Sequence, residues 1–191
     1  MTLERVRLWG WIALLAIIGA FVGTVLLAPL EKTLGDTIRL IYVHAAFTRA
    51  GMLGFYIAGV LGLIVAFTNN ARWQSLAQTI GWVSLGLFLV GGLFSVFAQR
   101  ATWGGVATAE PRHRTTMVIV ALAVIVLILN SWLPWIRVRG LLYAILAGFI
   151  AWAIPATPLV LHPQNASGSS PSLVIRVTFP MLTILVLSVS Y

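Results

Sequence analysis

Three histidines, His44, His113 and His162, hold most of the ligand chemistry in this 191-residue chain, which has no cysteine and only four acidic residues. His44 follows Ile41, Tyr42 and Val43, and His162 follows Leu159, Val160 and Leu161, so each stands at the mouth of an apolar stretch. Neutral imidazoles at a membrane boundary are good iron ligands, and two of them from different helices can clamp a haem through both axial positions. The competing reading is structural, since an interfacial histidine often hydrogen-bonds a helix end or a lipid headgroup. His113, between Arg112 and Arg114, reads as a solvated loop histidine.

The elements that must position these residues are apolar runs long enough to cross about 30 Å of hydrocarbon, roughly 20 residues each. They run from about Leu8 to Leu30, Ala45 to Phe67, Ser75 to Ala98, Met117 to Trp135, Leu141 to Val160 and Leu173 to Tyr191. With 60% hydrophobic and 8% charged residues and a mean hydropathy of +1.02, a water-soluble fold would expose more apolar surface than it could bury. The runs are continuous and do not alternate with period two, which excludes a barrel. The expected fold is all-α: one integral membrane domain, residues 1–191, forming a bundle of six transmembrane helices. The first run, preceded by Arg5 and Arg7, reads as a retained anchor.

Counting spans puts all three histidines on one side. The loops after spans two and four are short and basic, around Asn69, Asn70 and Arg72 and around Arg137, Val138, Arg139 and Gly140. A naive count of basic residues would put the histidines in the cytoplasm, whereas the basic start of span one argues for a cytoplasmic N-terminus. We take the second reading, which puts the histidine loops outside a bacterial-type inner membrane. The formal charge of +8 comes from arginines scattered at span ends, without the basic stripe or base-stacking platform that nucleic acid would require. Lipid headgroups, a porphyrin carboxylate or an acidic partner fit better. Arg49 and Arg176 each fall within about one turn of an expected span start, where a long side chain can snorkel to the surface.

Span two carries a stripe of small residues, Ala46, Ala50, Gly54, Ala58 and Gly62, which favours close helix packing. Pro155 and Pro158 are expected to bend or end span five ahead of His162. No nucleophile elbow, phosphate loop, carboxylate pair or metalloprotease motif is present, and the chain reads as a non-enzyme.

Three blocks together bear a family resemblance. Tyr42-Val43-His44-Ala45-Ala46-Phe47 opens span two, Trp103-Gly104-Gly105-Val106-Ala107-Thr108-Ala109-Glu110-Pro111-Arg112 follows span three, and Leu161-His162-Pro163 ends span five. In order and placement they resemble the cytochrome c maturation C family, six-span membrane proteins that handle haem. The resemblance implies axial ligation of non-covalent haem b by His44 and His162, and a loop carrying Trp103 that faces the porphyrin. The family's signature is Trp-Gly-x-Trp-Trp-x-Trp-Asp-x-Arg. Trp103, Gly104 and Arg112 match it, Glu110 replaces the aspartate, and Val106, Ala107 and Ala109 occupy the three later tryptophan positions. Each lost ring removes about 1–3 kcal/mol of stacking. Arg100, Arg112 and Arg114 are candidates to pair with haem propionates, and Glu110 to hydrogen-bond an axial imidazole. The implied partners are membrane lipid and a haem chaperone or apoprotein. Two rival readings remain open: a small accessory subunit among other membrane protein subunits, and an export-complex component docking a cytoplasmic partner on Arg72, Arg137 and Arg139.

Overall fold

The computed structural model describes residues 3–158, 161, 168 and 170–191, with side chains from Arg7 onward. Six helices form among these residues: α1 (Leu3–Leu27), α2 (Ile38–Thr68), α3 (Ala71–Trp103), α4 (Pro111–Trp132), α5 (Ile136–Ala156) and α6 (Leu173–Ser190). No strand is present among them, and each helix is long and apolar enough to cross a membrane. The protein is a multi-pass, all-helical membrane protein.

Local chemistry sets the helix ends. Asn69 takes the left-handed conformation that closes α2, and the Asn70 side chain caps α3 by accepting the Arg72 N–H. The whole α2–α3 connection is those two residues. Gly104, at φ +74°, ends α3 in the left-handed region where glycine is favoured. Pro111 opens α4 at the first helical position, and the Ser172 hydroxyl caps α6. α5 runs through Pro155 and stops at Ala156, one residue later.

Two helices are longer than their apolar runs suggest. α2 begins at Ile38 rather than near Ala45, and α3 runs on past Ala98 to Trp103. Arg39, Gln99, Arg100 and Thr102 are polar but compatible with a helix, so the hydrogen-bond ladder continues beyond the hydrocarbon. At 1.5 Å per residue, the 31 residues of α2 and 33 of α3 span about 46 and 50 Å, against a core of about 30 Å. About twenty residues counted back from Thr68 end at Arg49. The first turns of α2 and the last turns of α3 therefore stand at headgroup depth.

α2 is the central helix, packed on α3, α5 and α6. Its small-residue stripe does what the spacing predicts: Ala46, Ala50, Gly54, Ala58 and Gly62 are all buried. One apolar cluster joins α2 to α3, α4 and α5 through Phe55, Phe88, Ile119, Leu127, Tyr143 and Ile150. A second joins α2 to α6 through Ile38, Tyr42, Ala46, Ile175, Phe179 and Leu182, with Phe21 and Val25 of α1 packed against it. Between α3, α4 and α5 runs a polar seam. Gln74 donates to Asn130 Oδ1 at 3.0 Å, Gln78 donates to Ser131 Oγ at 3.1 Å, and Tyr143 donates its hydroxyl to Gln78 Oε1 at 2.8 Å. Each bond satisfies a group that lipid could not.

Candidate functional site

A cavity of about 430 Å³ lies at the histidine end of the bundle, within the range that small-molecule sites occupy. α2 contributes Ile38, Ile41 and His44; α3 contributes Ser95, Ala98, Gln99, Thr102 and Trp103; α6 contributes Ile175 and Phe179. The α1–α2 connection adds Glu31, Thr33 and Leu34, and Leu161, Ser170 and Pro171 close the remaining side. The walls are mostly apolar with a few polar groups between them, the usual composition of an organic-ligand pocket.

His44 is the only histidine among the cavity's described residues. It sits two turns inside α2, deeper than the expected helix mouth, because α2 starts seven residues earlier than its apolar run. Its Nδ1 lies 2.8 Å from the carbonyl oxygen of Gly91 on α3 and 3.3 Å from the Thr48 hydroxyl. A carbonyl oxygen only accepts, so Nδ1 must carry the proton, and the neutral ring then has its lone pair on Nε2. This is the arrangement in which imidazoles ligate metals, the other nitrogen being held by a backbone carbonyl. Gly91 makes it possible by close approach: a Cβ there would lie 2.7 Å from the Thr48 backbone nitrogen and would collide with the Thr48 hydroxyl.

The aromatic wall is built around Phe179. Tyr42 meets its ring edge-on at 4.8 Å between centroids, and the Arg49 guanidinium stands over it at 5.3 Å. The apolar run places Arg49 within a turn of its span start, and the count back from Thr68 keeps it there. It lies about three turns inside α2, at the hydrocarbon edge, where an aromatic face stabilises a partly desolvated cation. Arg176 is exposed in the first turns of α6, as expected of a snorkelling side chain.

The rim of the cavity is polar. Glu31 accepts hydrogen bonds from the Thr33 hydroxyl, from the Thr33 N–H at 2.7 Å and from the Leu34 N–H at 2.9 Å. These donors, the Thr33 hydroxyl foremost, hold its carboxyl below the usual range. Gln99 donates to Ser95 Oγ at 3.0 Å and accepts the Ala107 N–H at 3.0 Å, folding the loop after α3 back onto the helix. Glu110 is buried, and its Oε2 accepts the Leu161 N–H at 3.3 Å. Leu161 directly precedes His162 in sequence.

Of the residues singled out from sequence, His44 and Trp103 meet at the cavity. Trp103 is the last residue of α3 rather than a loop residue, because the helix outruns its apolar stretch. Arg100, Arg112 and Arg114 do not line the cavity. Arg100 is exposed in the last turn of α3, where a cation suits the helix dipole. Arg112 is half-buried at the start of α4, and Arg114 donates to the Thr108 carbonyl at 3.4 Å. His113 is the third residue of α4, half-buried rather than in a loop, since Pro111 starts the helix before it. His162 lies outside the described residues. Sequence reasoning missed Thr48, Gly91 and Phe179. Thr48 was the most findable, one helical turn from His44 on the same face.

A haem would meet suitable groups here: an imidazole with a proton fixed on Nδ1, one indole and a largely aliphatic wall. Its carboxylates would find no arginine among the described lining residues and would have to lie at the rim. The fold and site thus define a six-helix membrane bundle with a headgroup-depth cavity centred on one histidine. Comparison with family models, with curated proteins and with solved structures gives no match.

Proposed function

We propose that the protein binds haem non-covalently, with His44 as one axial ligand and His162 as the other, in the manner the resemblance to the cytochrome c maturation C family implies. The observation that supports this reading best is the 2.8 Å hydrogen bond from His44 Nδ1–H to the Gly91 carbonyl, which leaves the ring's lone pair on Nε2. Bound haem would supply iron open to ligand exchange or electron transfer. The chain's own residues would hold the ring by its apolar face against Phe179, Ile175 and Ile41 and orient His44 from behind. In this reading the cavity faces outward from a bacterial-type inner membrane, and an apoprotein or haem chaperone is the partner. The test is a reduced-minus-oxidised spectrum with a pyridine haemochrome assay on protein purified in mild detergent. A b-type signal near one haem per chain, lost in His44→Ala and in His162→Ala, is the expected result. Wild-type haem content in both variants would overturn the ligand assignment.

The accessory-subunit reading draws on a different observation: α1 presents Leu8, Trp9, Trp11, Leu15, Ile18 and Val22 outward, so much of its length is open to a neighbouring subunit. It predicts co-purification with a larger complex at fixed stoichiometry in mild detergent. Recovery of the chain only as a monomer would overturn it.

A further inference from the structure

The end of the bundle opposite His44 is closed by two tight turns that lie side by side. Gly62, near the end of α2, and Gly140, near the start of α5, meet backbone to backbone, and a Cβ on Gly140 would stand 2.9 Å from the Ala66 nitrogen. This contact sets the α4–α5 turn (133–135) against the α2–α3 turn at Asn69 and Asn70. Three arginines project from the pair. Arg72 is the second residue of α3, and Arg137 and Arg139 are the second and fourth of α5. Arg72 and Arg137 are exposed, while the Arg139 Nε–H donates to the Leu133 carbonyl. The one carboxylate that the sequence and span order place at this end is Glu4.

Around these cations stands a ring of exposed aromatics. Trp73 adjoins Arg72, Trp132 and Trp135 flank the α4–α5 turn, and Phe67 ends α2, with Trp132 and Phe67 each 82% exposed. Indoles in this position mark the boundary between hydrocarbon and water. The arginines belong to the first turns of α3 and α5, where the positive helix ends add to their charge and favour an anion. A bilayer supplies the complementary charge at that depth and no other.

We propose that the paired turns bind the phosphate of an anionic phospholipid. Arg72 and Arg137 hold its oxygens as planar, multiply donating cations, and Trp132 and Trp135 pack along its glycerol and upper acyl chains. An inorganic phosphate would satisfy the arginines but leave the indoles uncovered, which is why a diacyl lipid is the occupant. The site is independent of the haem reading, since it lies at the other end of the bundle.

The experiment uses the full-length protein in mild detergent. Native mass spectrometry is run with phosphatidylglycerol, with phosphatidylcholine or with inorganic phosphate alone, on wild type, R72Q/R137Q and the opposite-end control R100Q. Wild type and R100Q are expected to retain phosphatidylglycerol at least tenfold better than phosphatidylcholine, and R72Q/R137Q to lose at least fivefold of that preference. Arg139 and its bond to Leu133 are left in place so that the turn keeps its shape, and an unchanged circular dichroism spectrum checks this. Equal retention of the two lipids by wild type, or an undiminished preference in R72Q/R137Q, would overturn the proposal. Phosphate bound as well as phosphatidylglycerol would overturn the lipid as occupant. If the lipids bind equally, an acidic protein segment becomes the better partner for these arginines.

Discussion

The two ends of this bundle are made of the same helices and behave as opposites. At one end α2 joins α3 through two residues, α4 reaches α5 through three, and Gly62 meets Gly140 with no side chain between them. At the other, the helices are joined by longer connections, and a cavity of about 430 Å³ remains between α2, α3 and α6. α2 and α3 stay in backbone contact as far as Gly91 and Thr48, so the cavity opens beside that pair, where α6 and the longer connections line it. The pinned end tolerates little change in volume, and the open end little change in orientation.

The largest break in this contrast should come from Gly62→Val. Its branched side chain would run into the Gly140 carbonyl and the Tyr143 side chain, and backbone cannot rotate aside. A loss of about 3 kcal/mol is expected, read as an earlier melting transition in detergent. A wild-type transition would show that the two turns are not the pin. Next comes Gly91→Ala at the open end, where the new methyl would meet Thr48 and push the carbonyl away from His44. On the haem reading, affinity for haem should fall by about 10–100-fold, with a smaller loss of melting temperature than in Gly62→Val. Equal haem affinity in this variant would disconnect Gly91 from the site.

A third comparison falls on the polar seam just inside the pinned end. Tyr143→Phe removes the donor to Gln78 Oε1 and should cost about 1 kcal/mol, without altering haem content. The smallest effect belongs to Glu31. Its carboxyl is held below its ordinary value by Thr33 and Leu34, so the folded state binds its proton less readily than the unfolded chain does. The stabilisation is therefore present above about pH 4.5 and fades as the pH falls through the lowered value. Glu31→Gln should flatten the acid limb of the melting profile slightly, and an unchanged limb would place the group outside the folded loop.

Much of the pinned end was legible in the sequence. Its spans are apolar, its α2–α3 turn is two asparagines and its α4–α5 turn carries Pro134, and the packing stripe of α2 runs into it at Gly62. The open end was less so. Hydropathy marks where hydrocarbon begins, not where a helix does, so it places Arg39 and Gln99 in loops although both are helical. That shift moved His44 inward along α2 and put Trp103 on a helix. Gly91 and Thr48 carry no signal of their own, because a glycine in a span and a threonine in a helix are common, and only the pairing of α2 with α3 gives them a role. Phe179 is one aromatic among nine phenylalanines until Tyr42 and Arg49 are seen on its ring.

The two-residue link at Asn69 and Asn70 also bears on the order in which the molecule is made. α2 and α3 are neighbours in sequence and share the most extensive helix contact, so their pairing closes a very short loop and costs little chain entropy. His44 and Gly91, one on each arm, come together in that hairpin, while Phe179 and Ile175 arrive only with the last helix. The imidazole is oriented early in synthesis, and the chamber around it is sealed last. A ligand that requires the complete chamber would be held only by a chain whose final helix had docked.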